Sequence, residues 1–217
     1  MSLQVETISL TPRAFLVEDF LSPFEAAEVI RLAAPHVDRS YVGQGDSGGV
    51  LTSSTRTSSN TWLSRQESDV VDILYRRVAD VTGIDERLLT PSNNAERMQV
   101  VHYEEGEAYS AHHDWGVRGY ADSRFLTVLL YLSDPPSSSA GGETAFPKGG
   151  DDGMGFQIVP KRGNAVFFYN LLEDGNGDDL SLHAALAVNE GEKWLANVWI
   201  WDPRLCDAIR EPSVDIS

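Results

Sequence analysis

Apolar positions change their period once along this chain. In the first ninety residues the spacing is mostly helical. Ser22 followed by Pro23 reads as an N-cap with proline at the first helical position. Ala26, Val29, Ile30 and Ala33 then recur on one face as far as about Pro35. Glu67 to Val81 predicts a second helix, with Val70, Val71, Ile73, Leu74 and Val78 on its apolar face. A short strand, Arg13 to Phe20, precedes both. Beyond Pro91 the runs become short and strand-like: Met98–Val101, Phe125–Leu132, Phe156–Val159, Ala165–Tyr169, Ala184–Val188 and Trp194–Trp201. Clusters of Gly, Pro, Asn and Asp separate them, which predicts a β-sandwich, jelly roll or barrel. No internal repeat is visible. Asp38 to Asn60 is rich in Gly, Ser and Thr and reads as one long loop, the kind that often closes over a site. Ser133–Gly142 and Glu173–Asp179 are polar inserts. The second lacks the ligand spacing of a calcium loop and reads as a solvated hairpin tip.

The 217 residues predict a single domain, 1–217, with a helical part over about 1–90 and a β core over about 91–203. A hydrophobic fraction of 41% is enough for a packed core. Lys and Arg number 17 against 33 Asp and Glu, a net charge of −16. That balance excludes a protein built to grip nucleic acid and disfavours docking on anionic lipid. The one cysteine, Cys206, allows no internal disulfide and leans towards a reducing compartment. No apolar run is long enough to span a membrane, and Met1–Leu10 lacks the basic and apolar regions of a signal peptide. The expectation is a cytoplasmic location.

Chemistry concentrates in few residues. Of the five histidines, His112 stands two before Asp114. In an extended strand, positions i and i+2 share a face, so this pair would present an imidazole beside a carboxylate while His113 points away. Alone, His-x-Asp is weak. A third ligand from a distant strand, His183, would complete a two-histidine, one-carboxylate triad, which leaves three positions open on an octahedral ion. Ten residues on, Lys193 heads an apolar strand. A buried ammonium is costly unless paired, so Lys193 either snorkels from the strand end into water or serves as counter-ion to a carboxylate held inside the barrel.

The ordered motifs resemble the prolyl 4-hydroxylase family of Fe(II)/2-oxoglutarate dioxygenases. They are His102-Tyr103-x-x-Gly106-x-x-Tyr109-x-x-His112-x-Asp114, Thr127-Val-Leu-Leu-Tyr131-Leu and Gly141-Gly142-Glu143-Thr144-x-Phe146-Pro147. Pro160-x-x-Gly163-Asn-Ala165-x-x-Phe168, Asp178-Asp179-x-Ser181-x-His183, Lys193-Trp194 and Trp199 come next. Arg56-Thr57-Ser58 and Thr61-Trp62-Leu63 match upstream, so the resemblance covers roughly 13–203. It implies an α+β fold: a double-stranded β-helix, the cupin-like jelly roll, with N-terminal helices packed on one sheet. It implies Fe(II) on His112, Asp114 and His183, with 2-oxoglutarate as co-substrate, dioxygen, and ascorbate as reductant. Lys193 would meet the distal carboxylate of 2-oxoglutarate. Tyr131 and Thr144 would line its pocket, Tyr103 would bond near the keto-acid end, and Trp199 would wall the site. Arg56, Ser58, Tyr109, Arg124 and Trp199 match positions on the side of a proline-containing peptide or protein substrate. The implied reaction is 4-hydroxylation of proline, coupled to decarboxylation of 2-oxoglutarate to succinate.

Two departures stand out. Ala187 replaces a proline frequent after the distal histidine, and Trp201 stands where a histidine near the substrate is frequent. The second keeps an alternative open: the same oxygenase chemistry on another side chain, a free amino acid or a small metabolite. A jelly-roll binding module with a purely structural metal is the alternative of a different class. The donor set would also accept Mn²⁺ or Zn²⁺.

Overall fold

The computed structural model describes residues 3–40, 55–90, 93–116 and 124–202. The middle of the expected loop, Cys206 and the segment after Asp202 lie outside the described residues.

The chain opens with a hairpin of β1 (Val5–Leu10) and β2 (Arg13–Val17). The sequence pattern misses β1 because this edge strand is exposed along most of its length. Helix α1 (Pro23–Ala33) starts at Ser22, whose hydroxyl accepts from the Glu25 amide at 3.2 Å while the Glu25 carboxylate accepts from the Ser22 amide at 2.7 Å. That reciprocal box satisfies two of the amides a helix start leaves open. The ends of the expected loop 38–60 are strands: β3 (Asp38–Arg39) pairs with β4 (Ser59–Leu63). Helix α2 (Asp69–Thr82) begins two residues later than its apolar pattern predicts, because Arg65–Glu67 winds as a 3₁₀ turn and Ser68 caps the α-helix proper. It stops at Gly83, at φ 69°, a left-handed cap.

The core strands are β5 (Met98–Tyr103), β6 (Tyr109–His112), β7 (Arg124–Tyr131), β8 (Thr144–Phe146), β9 (Phe156–Ile158), β10 (Ala165–Tyr169), β11 (His183–Ala185) and β12 (Lys193–Trp201). They make two antiparallel sheets. The large one runs β1-β2-β10-β7-β12-β5-β4-β3 and the small one β6-β11-β8-β9. This is the expected double-stranded β-helix. The first ninety residues are not purely helical, since they give four strands to the large sheet. Strands β6 and β8 escape the sequence pattern because each is short and partly polar, and β11 ends at Ala185 rather than Val188.

Period two explains how one sheet serves two cores. In β7, Leu126, Val128 and Leu130 pack with Ala26, Val29, Val71, Leu74 and Val78 of the helices. Leu129 and Tyr131 face the other way, into a cluster with Phe146 and Phe168. In β12, Ala196, Val198 and Ile200 face the helices, which leaves Lys193, Leu195, Asn197 and Trp199 for the interior of the sandwich. Strands buried on both faces read as continuous apolar runs, which is how these appear in the sequence.

One helical position departs from the pattern: Ile73 is 42% exposed, because it sits at the rim of the α2 stripe whose centre is Val71, Leu74 and Val78. Leu74→Ala should lower the unfolding free energy by about 2–5 kcal/mol, whereas Ile73→Ala should stay within about 1 kcal/mol. Urea denaturation of both variants checks the assignment, and equal losses would refute it.

Candidate metal centre and its cavity

The site begins with a strand pairing. Strand β6 lies antiparallel to β11 with His112 directly opposite His183, and their rings sit 4.4 Å apart. Directly opposed residues share a face, so both imidazoles point into the sandwich. Asp114 completes the group, though not as a strand residue: β6 ends at His112, and Asp114 lies in the bend beyond it. His113 pairs with Asp179, at 3.3 Å, and lines the edge of the cavity without joining the group of ligand atoms. His112 Nε2 stands 3.7 Å from Asp114 Oδ1, and His183 Nε2 is 3.7 Å from Oδ2. The ligand atoms of the three residues lie within 4.8 Å of one another.

The donor set fits a divalent transition ion. Each imidazole donates from Nδ1 to the backbone carbonyl two residues earlier, His112 to Ser110 at 2.8 Å and His183 to Ser181 at 3.0 Å. A carbonyl can only accept, so the proton is on Nδ1 and the lone pair of Nε2 is free to ligate. Burial, and then the neighbouring His183, push the His112 imidazolium down to about 3, which keeps the ring neutral. Burial would raise the Asp114 carboxyl, but neighbouring positive charge, Arg124 included, and the Thr127 hydroxyl outweigh it and hold the group well below the usual carboxylate range. Two neutral imidazoles and one carboxylate are the ligand states that ferrous iron needs.

The triad opens into a cavity of about 370 Å³ between the sheets. Tyr103, Tyr109, Thr144, Trp199, Arg56 and Arg124 all line it. Ser58, Tyr131 and Lys193 stand behind its wall. Tyr131 donates to Thr144 Oγ1 at 2.9 Å. Lys193, 3% exposed, lies over the rings of Tyr103 and Tyr131 at 5.4 and 5.9 Å. Its ammonium donates to the Gly142 carbonyl at 2.6 Å, and among the described residues no carboxylate stands within ion-pair distance. Burial pushes it down to about 7, opposed by the charge of Glu143. Gly142, at φ 78°, brings backbone against the Lys193 stem where a Cβ would stand 3.4 Å from Cδ.

Arg56 is placed by backbone pairing to Tyr109. Its guanidinium covers the Tyr109 ring at 4.8 Å, and that ring stacks on His112 at 3.7 Å. Ser58 and Gln99 hold the guanidinium by hydrogen bonds at 3.2 Å each. Arg124 is paired with Glu96 at 2.6 Å and lies 4.0 Å over the Trp199 ring. The Trp199 indole in turn donates to Asp114 Oδ2 at 2.9 Å. Four polar residues to which the sequence assigns no role belong here: Gln99 and Asn197 on the cavity wall, and Thr127 and Asn170 behind Asp114. Gln99, Thr127 and Asn197 share a legible signal, a polar residue at an interior-facing position of an otherwise apolar strand.

A jelly roll that gathers two histidines and an aspartate over an open cavity defines the class of mononuclear, metal-dependent oxygenases. The family model of the 2OG-Fe(II) oxygenase superfamily matches residues 98–201. Prolyl 4-hydroxylase 2 of Arabidopsis thaliana is 37% identical over 223 residues, covering 91% of this chain and 70% of the relative. The alpha-1 subunit of prolyl 4-hydroxylase from Gallus gallus is 37% identical over 197 residues, covering 87% of this chain and 36% of the relative. Another Arabidopsis relative is covered over 65% of its length, so the chain spans about two thirds of such plant relatives and about a third of the chicken subunit. Among solved structures, the viral collagen prolyl hydroxylase of Paramecium bursaria Chlorella virus-1, in complex with 2-oxoglutarate, superposes with a TM-score of 0.67. It is 27% identical over 87% of this chain and 95% of that one. The chain belongs to the prolyl 4-hydroxylase family of Fe(II)/2-oxoglutarate oxygenases.

Among the described residues, no helix is long and apolar enough to cross a membrane. Adding Mn²⁺ to the metal-free protein should raise its unfolding free energy, by about 2.7 kcal/mol at a hundredfold excess over Kd. His183→Ala should abolish that gain. Thermal melts with and without the ion are the check, and an undiminished gain in the variant would remove His183 from the site.

Proposed function

We propose that the chain hydroxylates proline at its 4-position in a peptide or protein, consuming dioxygen and 2-oxoglutarate and releasing succinate and CO₂. The observation that carries this reading is the meeting of a complete His-Asp-His donor set with a buried lysine that has no carboxylate partner among the described residues. Bound Fe(II) and 2-oxoglutarate would supply the oxidising power that places one oxygen atom on an unactivated C–H bond and the other in succinate. Ascorbate is the reductant expected to keep the metal ferrous.

The protein supplies ligand geometry, charge and a dry wall. His112, Asp114 and His183 would hold the metal. Lys193 is the cation for the distal carboxylate of 2-oxoglutarate, reached past the Tyr131–Thr144 hydroxyl pair. Burial pushes the Tyr103 hydroxyl up to about 12, so it stays protonated and can donate at the keto-acid end. On the substrate side, Trp199 and the edge of Tyr109, whose ring is held between Arg56 and His112, supply apolar surface against which a proline ring packs. Arg56 and Arg124 back the two residues as cations held over the rings. Arg124 is already neutralised by Glu96, so it stiffens Trp199 rather than presenting a free charge. Ser58, hydrogen-bonded to Arg56, holds that guanidinium in place.

Succinate formation from 2-oxoglutarate with Fe²⁺, stimulated by proline-containing peptides and yielding 4-hydroxyproline by mass spectrometry, tests the reading. Oxygen found only on a residue other than proline would refute the substrate. His112→Ala should abolish turnover.

Lys193 gives a pH signature. Burial depresses its folded pKa from the ordinary lysine value of 10.5 to about 7, so in the ligand-free protein it is an ammonium below that pH and an amine above it. 2-Oxoglutarate needs the ammonium. Its affinity for the Mn²⁺-loaded protein should therefore be flat below about pH 7 and weaken above it, by up to about tenfold per pH unit. Stability of the ligand-free protein runs the opposite way: between 7 and 10.5 the unfolded chain binds the extra proton, so this group's contribution rises with pH. Lys193→Met should raise the melting temperature of the ligand-free protein near neutral pH and weaken 2-oxoglutarate binding by at least about tenfold. Calorimetric titration across pH decides, and affinity that rises from pH 7 to 8 would contradict the role.

A further inference from the structure

A carboxylate can give a metal ion one oxygen or both, and the choice decides how many positions remain for other ligands. The surroundings of Asp114 bear on that choice. Two donors converge on Oδ2, the Thr127 hydroxyl at 2.6 Å and the Trp199 indole at 2.9 Å, and neither reaches Oδ1. Each oxygen stands 3.7 Å from one ligand nitrogen, Oδ1 from His112 Nε2 and Oδ2 from His183 Nε2, so the two donors on Oδ2 are what set the oxygens apart.

The Thr127 hydroxyl has one proton. Asn170 Nδ2, 2.8 Å from Thr127 Oγ1, can only donate, so the hydroxyl's own proton is left for Oδ2. The relay therefore has one direction, Asn170 to Thr127 to Asp114, and every member is 3% exposed or less. Asn170 is fixed by its backbone. Its amide donates to the Phe125 carbonyl at 2.9 Å, and its carbonyl accepts from the Asp178 amide at 2.8 Å. Its side-chain oxygen is buried with no partner. An orphaned acceptor is expensive where packing alone is wanted, so the placement of this amide answers to its nitrogen.

We propose that Thr127, oriented by Asn170, is a positioning residue that together with Trp199 occupies Oδ2 of Asp114 and so makes the aspartate a one-oxygen ligand through Oδ1. The relay sets the metal affinity of the site and leaves Oδ1 as the carboxylate oxygen free of protein donors. The proposal rests on the triad being the metal site.

Co²⁺ is the probe, because it binds without oxygen chemistry and reports its ligand field in the visible spectrum. Calorimetry and absorption are recorded on the metal-free protein titrated with Co²⁺ in the absence of 2-oxoglutarate. Thr127→Val keeps the shape and removes the hydroxyl. It should weaken Co²⁺ by about tenfold or more and change the absorption bands. Thr127→Ser restores the hydroxyl and should return both readouts close to wild type. Asn170→Ala should give a smaller loss in the same direction, about threefold, and carries the test alone should Thr127→Val fail to fold. Wild-type affinity and spectrum in Thr127→Val, or a Thr127→Ser variant as impaired as Thr127→Val, overturns the relay. Failure of the underlying reading looks different: the wild type binds no Co²⁺, or His183→Ala binds it unchanged.

Discussion

Everything at this site depends on one ionised carboxylate held in a nearly dry place. Asp114 is 3% exposed, and a buried charge survives only where donors and opposite charge surround it. The Trp199 indole and the Thr127 hydroxyl donate to it, with Arg124 as a nearby charge, and the residues of the centre arrive from different strands: His112 at the end of β6, His183 on β11, Thr127 on β7 and Trp199 on β12. The two sheets must close face to face for these groups to meet. The centre is thus a product of the tertiary fold, with neither sheet able to assemble it alone.

The large sheet can contribute because its central strands are buried twice. The helices cover one face with an apolar layer, which frees the other face of β5, β7 and β12 to carry polar chemistry. Thr127 and Trp199 are directly opposed across β7 and β12, as are Gln99 and Asn197 across β5 and β12. A slip of one residue in either pairing would send these side chains into the helix layer and bring the apolar alternates to the metal. The site therefore inherits its precision from the packing of α1 and α2 on the far side of the sheet.

This layering also explains what was legible in the chain. His112, Asp114 and His183 could be named because a ligand set has a fixed chemistry and the surrounding motifs come in order. Helix α1 was legible through Ser22, Pro23 and its apolar spacing. Strands β1, β3, β6 and β8 were not, since edge or site-lining strands of two to six residues carry little hydrophobic periodicity. The His-x-Asp spacing pointed to the correct pair for an incomplete reason, because Asp114 reaches the site from a bend and not from a continued strand. Asn170 gave no signal at all. It ends an apolar run, where an asparagine ordinarily marks a turn, and only the three-dimensional contact with Thr127 reveals its donor role.

The net charge of −16 takes on a sharper meaning once the residues are placed. A dianionic co-substrate must enter an acidic protein, so positive charge has to be concentrated where it is needed. Lys193 is buried without a carboxylate beside it among the described residues, and Arg56 is held by neutral Ser58 and Gln99 at the cavity wall. Among the described residues neither cation meets a carboxylate there, which leaves both charges available to an incoming anion or a peptide carbonyl. The acids stand outside: Asp151, Asp152, Glu173 and Asp174 are exposed on loops, where Asp174 serves only its own turn through Asn176. A field arranged this way is attractive at short range inside the cavity and repulsive to acidic chains around its exterior. On the proposed function, such a field would select a peptide by the charge of the residues flanking its reacting proline, against acidic ones.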